Sequence, residues 1–288
     1  GVEGIAVGLS TKIMPHNFVE LIKSSISYLK GNSFKLYPDF LTGGMIDISD
    51  YNDGKRGGKI RVRSKIIEVD KTTLAIKDIP YNTTTTSIIE SILKANDKGK
   101  IKVKKVVDNT AENVEVLVHL NKNQSPSITI DALYAFTDCE VSISPNACVI
   151  VDEKPQFLGV KDILKYSAES TKKLLKKELE IRRDELKEKI LFSTLERIFI
   201  DKKIYQKIES CETWEDVIDT IDKGLDPYKK DFYRDVDRDD IVRLTEIKIK
   251  RISKFDKKRL DETIIKFENE LTKTLKNLKN LTDYTIEY

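Results

Sequence analysis

The residues that hold soft metals or close disulfides are scarce in this 288-residue chain, which has three cysteines and two histidines. Cys139, Cys148 and Cys211 form no C-x-x-C pair, and His16 and His119 stand far from them in sequence. A metal centre and a disulfide framework are therefore not expected, and a reducing cytoplasm is the simpler setting for three buried or incidental thiols. No run approaches the roughly 20 apolar residues of a membrane span, and no signal-like apolar core opens the chain. No membrane partner is expected. A P-loop and a G-x-G-x-x-G turn are both missing, which excludes two common nucleotide cradles. No Ser/His/Asp set or carboxylate pair stands out, so no catalytic residue is assigned. An initiator Met is missing as well: the chain begins Gly1-Val2-Glu3, as expected of a piece of a longer polypeptide.

What is plentiful is charge, at 34% of residues against 39% apolar. Such a balance suits long solvated helices better than one ball. The net charge of +3 is unevenly placed: residues 1–105 carry 18 Lys/Arg against 11 Asp/Glu, and the remainder 33 against 37. A basic front and a slightly acidic rear predict that a polyanion meets the front.

The front opens with G-V-E-G-I-A-V-G, read as a glycine-rich turn. Phe18, Leu21, Ile22, Ile26 and Leu29 then recur at helical spacing, with Asn17 as N-cap, Glu20 three residues on, and Gly31-Asn32 as the stop. Residues 36–157 alternate as mixed α/β. Strand patterns run through 59–66 and through Val114, Val116, Val118 and Leu120. A helix is predicted to start at Ser87-x-x-Glu90, and another to span Ile128 to Phe136. Beyond residue 160 the chain reads as almost wholly helical. Leu175, Leu179, Leu186 and Ile190 form one apolar stripe, interrupted by Arg182. Leu260, Ile264, Phe267, Leu271, Thr274, Leu278 and Leu281 form a second at heptad spacing. An antiparallel pair of long helices with a compact insert at its tip, or a plain helical bundle, would satisfy both stripes. The Asp-rich D-V-D-R-D-D at 235–240 reads as a helix start favoured by the helix dipole. It lacks the Gly and closing Glu of a calcium loop.

Three features bear on binding. Lys59, Arg61, Arg63 and Lys65 alternate with Ile60, Val62 and Ile66, so one strand would present all four cations on one face. Lys55 and Arg56 precede them in a glycine-rich loop. Such a row can neutralise successive phosphates; a lysine-guarded edge strand is the bland alternative. Ile5, between Gly4 and Gly8, is either a wedge offered to base pairs or, as the local pattern favours, a core residue of a short strand. His16, after Pro15 at a helix entry, is by pattern structural.

Several segments in fixed order resemble the breakage–reunion region of bacterial type IIA topoisomerase A subunits. G-I-A-V-G-L-S-T-K-I-M-P-H-N at 4–17 is similar to the family's G-I-A-V-G-M-A-T-x-I-P-P-H-N, and P-D-F-L-T-G-G at 38–44 to P-D-F-P-T-G-G. G-K-I-R-V-R at 58–63, D-I-P-Y at 78–81 and L-Y-A-F-T at 133–137 follow. The segment 241–256, I-V-R-L-T-E-I-K-I-K-R-I-S-K-F-D, resembles A-I-L-D-L-R-L-x-x-L-T. Departures are Met14 for the first of two prolines, and Y-N-D-G-K-R-G-G for the gyrase-like Y-R-T-G-R-G. The likeness covers essentially the whole chain and is closer to topoisomerase IV than to gyrase.

The resemblance implies an α+β fold. Residues 1–35 would end a winged-helix region and its connector. Residues 36–157 would form an α/β tower domain, and 158–190 and 257–288 a long antiparallel coiled coil. Residues 191–256 would be the helical C-gate dimerisation domain at its tip. It reverses the local reading of Ile5, which stands where the family inserts an isoleucine into gate DNA. The implied DNA-binding set is Ile5, Lys12, His16, Lys55, Arg56, Lys59, Arg61, Arg63 and Lys65. The implied dimer interface is Leu195, Ile198, Ile241, Leu244, Ile247 and Ile249. Partners would be double-stranded DNA, a second copy of the chain in a homodimer, and the topoisomerase B subunit, which would also hold ATP and Mg²⁺. The family's nucleophile is a tyrosine after Arg, upstream of G-I-A-V-G. None of the 11 tyrosines here has that context, so an internal piece without the nucleophile is expected. A coiled-coil adaptor dimer that binds no DNA is the alternative from another class.

Overall fold

A computed structural model describes residues 1–248 and 254–288, apart from the side chains of 231 and 254–256. The chain divides into two compact units, Gly1–Ala168 and Glu169–Tyr288. All strand pairs among the described residues are antiparallel.

The first unit opens with a hairpin, β1 (Val2–Ala6) and β2 (Leu9–Ile13), where a glycine-rich turn was expected. The turn itself is only Val7-Gly8, with Gly8 at φ +74°, a conformation glycine adopts without strain. Helix α1 (Phe18–Leu29) follows, capped as predicted: Asn17 Oδ1 accepts from the backbone N–H groups of Val19 and Glu20. Strand β3 (Met45–Asp47) pairs with β4 (Ile60–Arg63), which also pairs with β9 (Glu140–Ile143). Ile60, Val62 and Ile143 point into a core shared with Met14, Leu36 and Phe40.

A second sheet orders β5 (Lys65–Asp70), β6 (Thr73–Asp78), β8 (Val116–His119) and β7 (Lys105–Asp108). Helices α2 (Thr85–Asp97) and α3 (Pro126–Phe136) cover it, burying Ile88, Ile92 and Leu133 against Leu74, Ile76, Val116 and Val118. The start of α2 corrects the sequence reading. Thr84 is the N-cap and Ser87 sits three residues inside, each hydroxyl accepting the other's backbone N–H. Strands β10 (Cys148–Val151) and β11 (Lys154–Phe157) form a last hairpin.

The helix α4 (Val160–Asp201) is continuous for 42 residues, so it does not stop at 190 as expected. Its Leu191, Leu195, Phe199 and Ile200 are buried in the core of the second unit. A left-handed Lys203 (φ 53°) then turns the chain into α5 (Ile204–Lys207). Helices α6 (Trp214–Leu225) and α7 (Arg238–Thr245) complete that core through Ile218, Ile221, Leu225, Ile241 and Leu244. The acidic run starts α7 as expected: Asp237 caps it in a reciprocal box with Asp240.

Helix α8 (Lys254–Lys279) returns, and α9 (Leu281–Glu287) ends the described chain. Ion pairs join Arg182 to Glu270, Arg197 to Asp261 and Asp201 to Lys257, so α8 runs antiparallel to α4. Arg182, the residue that broke the apolar stripe, reaches Glu270 at 2.7 Å. No helix among the described residues is long and apolar enough to cross a membrane.

Candidate nucleic-acid interface

The hairpin is held by its second strand. The backbone of Lys12 exchanges hydrogen bonds with that of Asn146, at 2.8 and 3.0 Å. Asn146 Nδ2 donates to the Ser10 carbonyl at 2.8 Å, and Cys148 N donates to Thr11 Oγ1 at 3.2 Å. With β2 anchored, β1 is the outer strand, and Ile5 is 91% exposed. Ile5 is therefore a strand residue, but it lies outside the core that local pattern favoured for it. Val7 at the tip is fully exposed too. Asn146 escaped the sequence reading because its partner Ser10 lies 136 residues away and no local motif marks it.

Arg56 shares a cleft of about 390 Å³ with Ala6, Gly8, Leu9, Asn146 and Phe157. The loop that carries it turns through three consecutive left-handed residues, Asn52, Asp53 and Gly54. Asp53 Oδ2 accepts the Lys161 backbone N–H at 3.4 Å, in the first turn of α4. Burial pushes the Asp53 carboxyl above its ordinary pKa, and the Lys161 contact opposes this. The loop's backbone is thus tied down while Lys55 and Arg56 remain exposed.

The cation row is more divided than its sequence suggests. Arg61 and Arg63 share the exposed face of β4, with Lys59 exposed just before it, but β4 is the middle strand of its sheet. That excludes the guarded-edge alternative for Arg61 and Arg63, whereas β5, which Lys65 opens, is an edge strand of the four-stranded sheet. At Ser64 the chain bends, its N–H donating to the Cys139 carbonyl, and Lys65 begins β5 in the other sheet. The expected single strand over 59–66 is therefore two. Arg61 is paired with Asp47 at 2.7 Å. The Ser49 hydroxyl and backbone N–H, with Arg61, hold Asp47 down to a pKa of about 2. Arg63 bonds Glu140 and lies 5.0 Å from the centre of the Tyr134 ring. Lys12 is paired with Glu3 at 3.0 Å. The unpaired cations of the set, among the described residues, are Lys55, Arg56, Lys59 and Lys65.

His16, the remaining member of the implied DNA-binding set, lies just before Asn17, the N-cap of α1. Its ring is half-buried, its Nε2 has no hydrogen-bond partner among the described residues, and burial lowers its pKa.

The sequence model that describes the A subunit of DNA gyrase and topoisomerase IV matches residues 1–288. The chain belongs to this gyrase/topoisomerase IV family. It is 39% identical over its whole length to the A subunit of DNA topoisomerase 4 from Borreliella burgdorferi, of which it covers 46%. It is 29% identical over 237 residues to the A subunit of DNA gyrase from Lawsonia intracellularis, covering 74% of this chain and 28% of that protein. The chain thus spans less than half the length of these relatives.

The T-G-G of the 38–44 segment has a steric reason in this family member. Gly43 and Gly44 adopt φ +74° and +88°, and a Cβ on Gly44 would stand 2.6 Å from the Arg63 carbonyl. Asp78, from the D-I-P-Y segment, accepts the Gly44 N–H at 3.2 Å. Two of the family-like segments therefore lock together beside β4.

The expected dimer interface needs correction in three of its six members. Leu195, Ile241 and Leu244 are at most 4% exposed, inside the core of the second unit. They fill space within one chain and present no surface to another. Ile198 and Ile247 are partly covered, and Ile249 lies outside the described residues. Among the described residues, no group of three His, Cys, Asp or Glu is gathered to hold a metal ion.

Proposed function

We propose that this chain is the part of a type IIA topoisomerase that holds and bends the duplex to be cut. The observation that carries this reading is Ile5: a large apolar side chain held almost wholly in solvent, on a hairpin pinned from beneath and bordered by Arg56. Water is a poor place for such a group, and the space between two base pairs is a better one. Smooth bending of a site through a sharp angle costs about 1–6 kcal/mol. Wedging a step open and drawing phosphates toward Lys55, Arg56 and Lys59 would offset that cost. The parent enzyme would work as two copies of this chain joined at the second unit, through a surface including Ile198 and Ile247. The B subunit would bring ATP and Mg²⁺ for relaxation or decatenation.

The test is energy transfer across a duplex of about 30 base pairs labelled at both ends and titrated with the 288-residue chain. Increased transfer at saturation and an affinity falling steeply with salt are expected. Saturable binding without a change in end-to-end distance would remove the bending role.

A further inference from the structure

The long helix α4 begins without a capping side chain of its own. Its first backbone bond runs from Ile163 N to the Gly159 carbonyl at 3.0 Å. Gly159 therefore stands at the N-cap and offers no side chain to the free N–H groups of the first turn. The oxygen comes instead from Asp53, 108 residues before Lys161, whose Oδ2 accepts the Lys161 N–H. Gly159 leaves room for that carboxylate, since a Cβ there would overlap Asp53 Oδ2. A Cβ on Gly54 would likewise meet Val160 Cγ2 at 2.7 Å, so loop and helix approach each other through two glycines.

This borrowed cap is strained and incomplete. Asn52 and Asp53 hold φ of 47° and 54°, a conformation that costs free energy for a residue with a Cβ and persists only where the surroundings enforce it. The bond to Lys161 is 3.4 Å long, beyond the usual range of about 2.7–3.2 Å. Asp53 Oδ1 is buried with no hydrogen-bond partner among the described residues. The charges that face the carboxylate are Lys161, Asp162 and Lys55. The same loop reaches the Ile5 hairpin: the Gly54 carbonyl accepts the Ala147 N–H at 3.1 Å, and the adjacent Asn146 holds β2 through Ser10.

We propose that Asp53 is a positioning residue for DNA bending, whose carboxylate closes onto the first turn of α4 when the duplex engages Lys55. It rests on the gate reading above and adds the joint that the bent duplex drives. A phosphate at Lys55 draws away one of the two cations that share the carboxylate and leaves it to the positive end of α4. Hairpin, loop and helix start then respond as one body, and α4 continues from there to Asp201.

The experiment measures amide hydrogen exchange at Lys161 in the 288-residue chain, free and saturated with a duplex of about 30 base pairs, alongside end-to-end energy transfer. Asp53→Gly removes the carboxylate and keeps the left-handed backbone without strain. Asp53→Asn keeps an acceptor oxygen and tolerates the same backbone. In wild type, the duplex should slow exchange at Lys161 by at least about 5-fold, the lower end of ordinary coupling between sites. Asp53→Gly should abolish that slowing and lower the ratio of bent to straight complex by a similar factor, and Asp53→Asn should restore both. A wild-type chain that bends the duplex with Lys161 exchange unchanged overturns the joint and spares the gate reading, whatever the glycine variant does to folding. Wild-type bending by Asp53→Gly overturns it too, as does a loss that asparagine fails to restore, because the carboxylate would then act by charge and not as a cap. A wild-type chain that binds without bending overturns both readings.

Discussion

Replacing Ile5 by Ala separates wedging from folding, because the structure gives the side chain no role in packing. It is 91% exposed, and substitutions at such sites change stability by about 0.5 kcal/mol or less. In a kinked complex the same change removes three carbons from an apolar contact. At about 0.8 kcal/mol per buried methylene the loss is about 2.4 kcal/mol. That corresponds to a drop of about 50-fold in the ratio of kinked to straight complex. Binding to straight DNA should persist, since Lys55, Arg56 and Lys59 are untouched. The assay is end-to-end energy transfer at saturating protein, with a thermal melt of the free chain beside it. A bent fraction equal to wild type would refute the wedge. A melt lowered by several degrees would refute the premise that Ile5 lies outside the core.

Three further outcomes follow from the second unit and from the glycine lock. Arg234 forms two bonds to the buried Asp240, at 2.6 and 3.1 Å, and two to Glu188. Arg234→Ala leaves that carboxylate without its cation and should cost about 3 kcal/mol in urea unfolding. Arg234→Lys should recover only part, because an ammonium cannot make the forked contact. Arg234 and Tyr233 hold Glu188 down to a pKa of about 2. Its stabilising share is therefore complete above the unfolded value near 4.5 and fades as pH falls toward 2. Discounted for its exposure, that share is about 1 kcal/mol. The stability gap between wild type and Glu188→Gln should close over that interval, and a constant gap would contradict the assignment. Gly44→Ala should destabilise the first unit by at least about 1–2 kcal/mol from the left-handed backbone alone, with its 2.6 Å approach to the Arg63 carbonyl adding to this. A neutral melt would refute the steric reading.

Features set by local period were legible in the sequence. Helix α1 and its Asn17 cap, α3, and the heptad stripe from Leu260 need only neighbours three or four residues away. Ambiguity entered where several local solutions were equivalent. Thr83, Thr84, Thr85, Thr86 and Ser87 all carry hydroxyls that can cap a helix, and Thr84 takes the role because Ser87 returns the bond. The alternation from Lys59 to Ile66 is interrupted only by Ser64 on its apolar face, and the strand ends there, where Cys139 bonds its backbone from 75 positions on. Arg182 looked like a flaw in an apolar stripe until Glu270, on α8, supplied its partner. The reach of α4 to Asp201 was hidden for a similar reason. Leu191, Leu195 and Phe199 keep helical spacing, but only α6 and α7 reveal that this face is enclosed.

The same limit explains which site residues kept their place. Sequence identifies an apolar or basic side chain; it does not say whether the chain itself satisfies that group. Leu195, Ile241 and Leu244 have the spacing of an interface, but their own unit buries them, so a partner chain would gain nothing from them. Arg61 and Arg63 have the spacing of a phosphate track, but Asp47 and Glu140 already neutralise them. For either arginine to bind phosphate it must give up an exposed ion pair worth about 0.2–1 kcal/mol, and it leaves an uncompensated carboxylate beside the DNA. Lys55, Arg56 and Lys59 face neither penalty, and Ile5 has no apolar neighbour to abandon. The residues most ready to act on a double helix are therefore those the fold leaves unsatisfied, and Arg56 among them shares a cleft with Ala6, Gly8 and Leu9 of the Ile5 hairpin.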